Sequence, residues 1–102
     1  TTEVVLFLLV HSFIGKLVNL EELNLSGCFQ VKTLPESFCR LGNLKKLNLR
    51  GDGYNMKLES LPERFGQLKS LKELNLRWCK QLLALPEGIL PLILPLSAAL
   101  AI

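Results

Sequence analysis

Apolar and polar positions in this chain recur in a unit longer than any single helix turn or strand. Residues 71–86 reduce to the skeleton L-x-x-L-x-L-x-x-C-x-x-L-x-x-L-P. The same skeleton starts at Leu20, with Leu23, Leu25, Cys28, Val31, Leu34 and Pro35. It starts again at Leu44, with Leu47, Leu49, Leu58, Leu61 and Pro62. Self-similarity at this period predicts a solenoid in which each unit buries its apolar face on the next. Within each unit a short stretch alternates strictly: residues 22–26, 46–50 and 73–77. Such alternation is the period of a strand with one buried face. The three strands are expected side by side in a parallel sheet, with Leu23, Leu47 and Leu74 as adjacent rungs. The second leucine set (Val31/Leu34, Leu58/Leu61, Leu82/Leu85) closes the same core. A Pro-Glu pair then opens the outer side of each coil, where proline suits the start of a short helix or turn. Phe38, Phe65 and Ile89 follow as inward plugs.

This pattern divides the chain into a degraded repeat or cap over residues 1–16, three repeats over 17–40, 41–67 and 68–91, and an apolar tail over 92–102. In the first segment Ile14 stands where Phe38 stands in the next copy, but the Leu-Pro-Glu signal is lost. The second repeat is three residues longer, and the extra residues belong to the Gly-Asp-Gly turn before Asn55, where a bulge leaves the core undisturbed. Asn55 then takes the slot filled by Cys28 and Cys79. Pro95 falls where a fourth repeat needs its strand leucine, so the regular repeats are expected to end near residue 91. Residues 95–102 are left as either a short helix or a trailing end.

The composition narrows the picture further. A chain of 102 residues that is 49% hydrophobic has ample material for one core. A net charge of +3 does not by itself call for nucleic acid or a membrane surface. Three cysteines without a C-x-x-C pair are not a disulfide framework and suit a reducing compartment, which points to a cytoplasmic location. Cys28 and Cys79 read as small buried side chains, whereas Cys39 is placed on the outer side and expected to be exposed. Neither apolar end reads as a signal peptide or a membrane span. His11 is the one histidine, and no set of about four metal ligands converges on it. No H-E-x-x-H pair and no glycine-rich phosphate loop occurs, and no nucleophile stands beside a base. Glu36, Glu63 and Glu87 recur once per coil and read as first-turn residues, favourable at a helix N-terminus, not as paired catalytic acids. We therefore expect no enzyme, no cofactor and no small-molecule substrate.

The units, written L-x-x-L-x-L-x-x-C-x-x-L-x-x-L-P-E-x-(F/I)-G-x-L-x-x-L, resemble leucine-rich repeats over residues 17–91. The variant is similar to the repeats at the C-terminal end of plant nucleotide-binding disease-resistance receptors, and also to the Ras-group repeats of signalling scaffolds. The resemblance implies an α/β solenoid with parallel strands on a concave face and short helical or irregular segments on the convex face. It implies protein recognition as the function, sensing an effector or host protein or holding a receptor inactive. The nucleotide switch of such a receptor is not in this sequence, since it has no phosphate-binding G-x-x-x-x-G-K-[ST] loop.

Outward strand positions form three columns: Glu22, Lys46 and Glu73; Asn24, Asn48 and Asn75; Ser26, Arg50 and Arg77. Trp78 follows the last column and Tyr54 lies in the bulge beside the second coil. Aromatics next to arginines are the composition enriched at binding hot spots. Trp78, Arg77, Arg50 and Tyr54 are the expected anchors, with Asn48, Asn75, Lys46 and Glu73 as further partner contacts. The bland alternative is a solvated strand face, and the asparagine column has a third reading as a stiffening hydrogen-bond ladder. Arg50, Arg77, Lys46 and Lys80 are interrupted by Glu22, Glu59 and Glu73, so a nucleic-acid footprint is not expected.

Overall fold

The computed structural model describes residues 13–26, 31–51, 58–82, 85 and 100–101. Alternation in the chain becomes three short strands, β1 (Glu22–Asn24), β2 (Lys46–Asn48) and β3 (Glu73–Asn75). They pair in parallel and in register, so that Leu23, Leu47 and Leu74 form one row across the sheet. Leu47 and Leu74 are buried, and Leu23 on the edge strand is half-buried. The expected stacking of these three leucines as adjacent rungs is therefore present. Hydrogen bonds carry the ladder past the strand ends, from Leu25 N to Asn48 O (2.7 Å) and from Leu49 N to Asn75 O (2.8 Å).

Behind the sheet the chain returns through the second leucine set. Leu25, Leu49 and Leu58 are fully buried, and Val31, Leu34, Leu61 and Leu76 nearly so. Burial of each such side chain is worth about 1.5–3 kcal/mol. Short 3-10 helices occupy the far side: η1 (Phe13–Lys16), η2 (Glu36–Arg40) and η3 (Glu63–Gln67). Pro35 and Pro62 stand just before η2 and η3 with φ of −68° and −63°, the angle their rings impose. Their carbonyls accept the N–H of Phe38 and of Phe65, each at 3.0 Å. Phe38 and Phe65 are completely buried, and Ile14 of η1 takes the same place at 1% exposure. The first segment thus keeps the packing of a repeat although it has lost the Leu-Pro-Glu signal. Ile89, the third expected plug, lies outside the described residues.

The three extra residues of the second repeat are absorbed between Asn48 and Ser60. The strand register shifts by 24 residues from β1 to β2, whereas Thr33 bridges Ser60 at a shift of 27. Leu49 and Leu58 on either side of the insertion remain fully buried. The turn itself, with Asn55 in the cysteine slot, lies outside the described residues, as does Cys28.

Two expectations are corrected. Cys39 is buried, at 7% exposure, because η2 is packed between η1 and η3. The sheet also has a fourth strand, β4 (Leu100–Ala101), paired in parallel with β3 through Leu74–Leu100 and Asn75–Ala101. The tail expected to be helical or trailing supplies a rung instead. Pro95 precedes the two paired residues, so it removes no donor from them. The arrangement, a short parallel sheet backed by short 3-10 helices, is compatible with the α/β fold anticipated.

Candidate functional site

The outward columns come together as expected. Glu22 lies opposite Lys46, and Lys46 opposite Glu73. Lys46 Nζ is 3.6 Å from Glu22 Oε1, an exposed pair. One position earlier, Lys45 Nζ meets Glu21 Oε1 at 2.8 Å. The hydrogen bond from Lys45 and then its charge hold the Glu21 carboxyl below its usual range and raise the Lys45 ammonium in return. Both pairs are solvated and contribute little to stability.

The asparagine column is not a cross-strand ladder. Each Asn Oδ1 accepts the backbone N–H two residues on: Ser26 N to Asn24 at 2.9 Å, Arg50 N to Asn48 at 2.9 Å and Arg77 N to Asn75 at 3.0 Å. These are Asx turns that bend the chain out of each strand. Each Oδ1 spends one of its two lone pairs on the turn, so Asn48 and Asn75 can offer a partner the second lone pair as well as the Nδ2 donors.

Those turns aim the third column. Arg50 and Arg77 are exposed and enter no ion pair among the described residues. They sit on neighbouring rungs, joined by the bonds from Leu49 N to Asn75 O and from Gly51 N to Arg77 O, 2.8 and 2.9 Å. Trp78 comes next, 54% exposed, with Lys80 Nζ 5.6 Å from its ring centroid. Its φ is +64°, a left-handed conformation rare for a bulky residue. The earlier repeats have Gly27 and Gly51 at the equivalent place, so the sequence carried a sign of this strain that the leucine spacing alone does not reveal. Tyr54 lies outside the described residues.

Beneath this edge Cys79 Sγ donates to Leu49 O at 3.0 Å. Desolvation raises its pKa, partly offset by a hydrogen bond from the Gly51 backbone, so the thiol is a packing and bonding group. On the opposite side an open groove between η2 and η3 is lined by Glu36, Ser37, Cys39, Arg40, Glu63, Arg64 and Gln67. Glu36 Oε1 there accepts the N–H of Glu63 at 3.2 Å, linking successive helices. Burial, and secondarily Glu36, push the Cys39 thiol up to about 11 despite Arg64, which leaves it a poor nucleophile. Among the described residues no three histidine, cysteine or carboxylate side chains are grouped to hold a metal ion. No helix among them is long and apolar enough to cross a membrane.

The Leucine Rich Repeat family model matches residues 19–41. The match covers β1, the return leg and η2, and with the parallel sheet it supports a leucine-rich-repeat protein. Such repeats generally mediate protein–protein interaction and are typically non-catalytic. Comparison with curated proteins and with solved structures found no match.

Proposed function

We propose that this chain is a protein-recognition module that receives its partner on the outward face of the sheet. The observation that carries this reading is the exposed edge where Arg50, Arg77 and Trp78 stand on adjacent rungs. The Leu-Pro-Glu-x-Phe signal at residues 34–38, repeated as Leu-Pro-Glu-Arg-Phe at 61–65, supports a finer assignment. By that resemblance the chain is the ligand-sensing or autoinhibitory repeat region of an intracellular plant immune receptor, with repeats at 17–40, 41–67 and 68–91. Cys39 and Cys79, both unbridged, support a cytoplasmic setting. Asn24-Leu25-Ser26 has the N-x-S form of a glycosylation acceptor, which weighs against that setting.

A purely structural role is the second reading. Phe13, Leu17 and Val18 are 42%, 40% and 49% exposed at the β1 end, where a neighbouring domain has apolar surface to cover. Co-purification of the tagged chain from plant cells distinguishes the two. Partners lost with Arg50→Ala or Trp78→Gly, and retained with Arg40→Ala and Gln67→Ala on the helical side, are expected. Partners indifferent to the first pair but lost with Leu17→Asp would replace recognition by the structural role.

A further inference from the structure

We infer that the partner segment seated on the Arg50–Arg77–Trp78 edge is an acidic peptide, an inference that rests on strand-face recognition. The sheet face is electrically polarised. At the edge where the chain enters the strands, Lys45 pairs with Glu21 and Lys46 with Glu22, and Lys72 stands beside Glu73, three cations to three carboxylates. At the edge where it leaves stand Arg50, Arg77 and Lys80, with the exposed Glu59 further along the second repeat. Neither arginine is in an ion pair there. Neighbouring strands lie about 4.8 Å apart. Two guanidinium forks starting at that interval match carboxylates on alternate residues of an extended peptide, about 7 Å apart, once the long arginine side chains splay apart. Such a fork takes up a carboxylate through two parallel bonds.

Trp78 adds the apolar part of the recognition. A left-handed backbone is free for glycine and strained for a bulky residue. The equivalent positions of the other repeats are Gly27 and Gly51. The third repeat accepts that strain and directs its indole outward, so the side chain is kept for what it touches and not for the fold. Strain held at an exposed position is a mark of a functional contact. Lys80 Nζ lies over the ring and adds positive charge to this edge. A nucleic acid is disfavoured because its continuous phosphate track needs an unbroken basic path and several stacking rings. Here the adjoining column is asparagine, the one beyond it carries Glu22 and Glu73, and Trp78 is the chain's single tryptophan.

The test is selection of short random peptides on the immobilised full chain, followed by titration of the enriched peptides against Trp78 fluorescence. Enrichment in Asp and Glu, affinity that weakens with added salt, and a loss of roughly ten-fold or more with Arg50→Gln or Arg77→Gln are expected. Trp78→Gly, followed by titration calorimetry because it removes the one tryptophan, is expected to abolish binding while the chain stays folded by circular dichroism. Enrichment of neutral or basic peptides that still depend on Trp78 overturns the acidic partner and leaves strand-face recognition standing. Binding unaffected by all three substitutions, or no enrichment, overturns the acidic partner at this edge, while the co-purification experiment judges the wider reading separately. Tighter binding of a single-stranded RNA oligonucleotide than of any selected peptide, lost with Arg77→Gln, assigns the edge to nucleic acid instead.

Discussion

At the scale of single residues, two glycines show how differently the fold treats the same side chain. A Cβ on Gly15 would meet the Ser37 carbonyl oxygen at 2.5 Å and Ser37 Cβ at 2.9 Å. The obstacle is mostly backbone, so η1 and η2 must move apart. Gly15→Ala is expected to destabilise by about 1–3 kcal/mol in urea unfolding. Gly42 has nothing within 4 Å of the same construction, and Gly42→Ala should be neutral or stabilise by about 0.4–1 kcal/mol. Equal effects from the two would mean that η1 does not pack on η2 as described. Comparison between repeats separates them in part: Gly42 aligns with Val18 and Lys69, so its position takes a side chain, whereas Gly15 aligns with Cys39 and Gly66 and its crowding shows only across the gap to η2.

At the scale of elements, the 3-10 helices cohere through their plugs. The Phe38 and Phe65 rings are stacked with centroids 6.4 Å apart and planes 4° from parallel. Either ring truncated to alanine should cost about 3–5 kcal/mol. The double substitution should cost less than the sum, by about 0.5–1.5 kcal/mol, since the stacking interaction is lost only once. A double-mutant cycle in urea measures this, and strict additivity would place the rings in separate contacts. The plugs were legible in the sequence because they stand at a fixed distance from Leu-Pro. The Asx turns were not. Asn24, Asn48 and Asn75 occupy outward strand positions, and only the backbone path shows that each bonds locally instead of across the sheet.

At the scale of the whole molecule, the packing of η2 between η1 and η3 excludes water from a thiol that spacing alone suggested was open. Cys39 is raised from 9.0 to about 11, chiefly by burial. Between those pH values the unfolded chain releases a proton that the folded chain keeps, so stability falls as pH rises from about 9 to about 11. Below that window this group contributes no slope. Cys79 acts in the same direction. Urea midpoints measured across this range should fall, and fall less steeply for Cys39→Ala. An identical slope in that variant would show that the thiol is solvated in the folded state.

The leucine interval by itself determined which residues turn inward, because a strand places alternate side chains on opposite faces and a repeated unit must satisfy the same geometry each time. It placed Leu23, Leu47 and Leu74 in one row, Phe38 and Phe65 behind them, and the charged columns outside. Only the tertiary structure decided what those columns do. The pairing of Lys46 with Glu22, the burial of Cys39 and the joining of Leu100 and Ala101 to β3 depend on distances between separate repeats, and the bonding of each asparagine to its own turn depends on the backbone path out of the strand. A one-dimensional pattern specifies which face a residue occupies, but not which group it meets there.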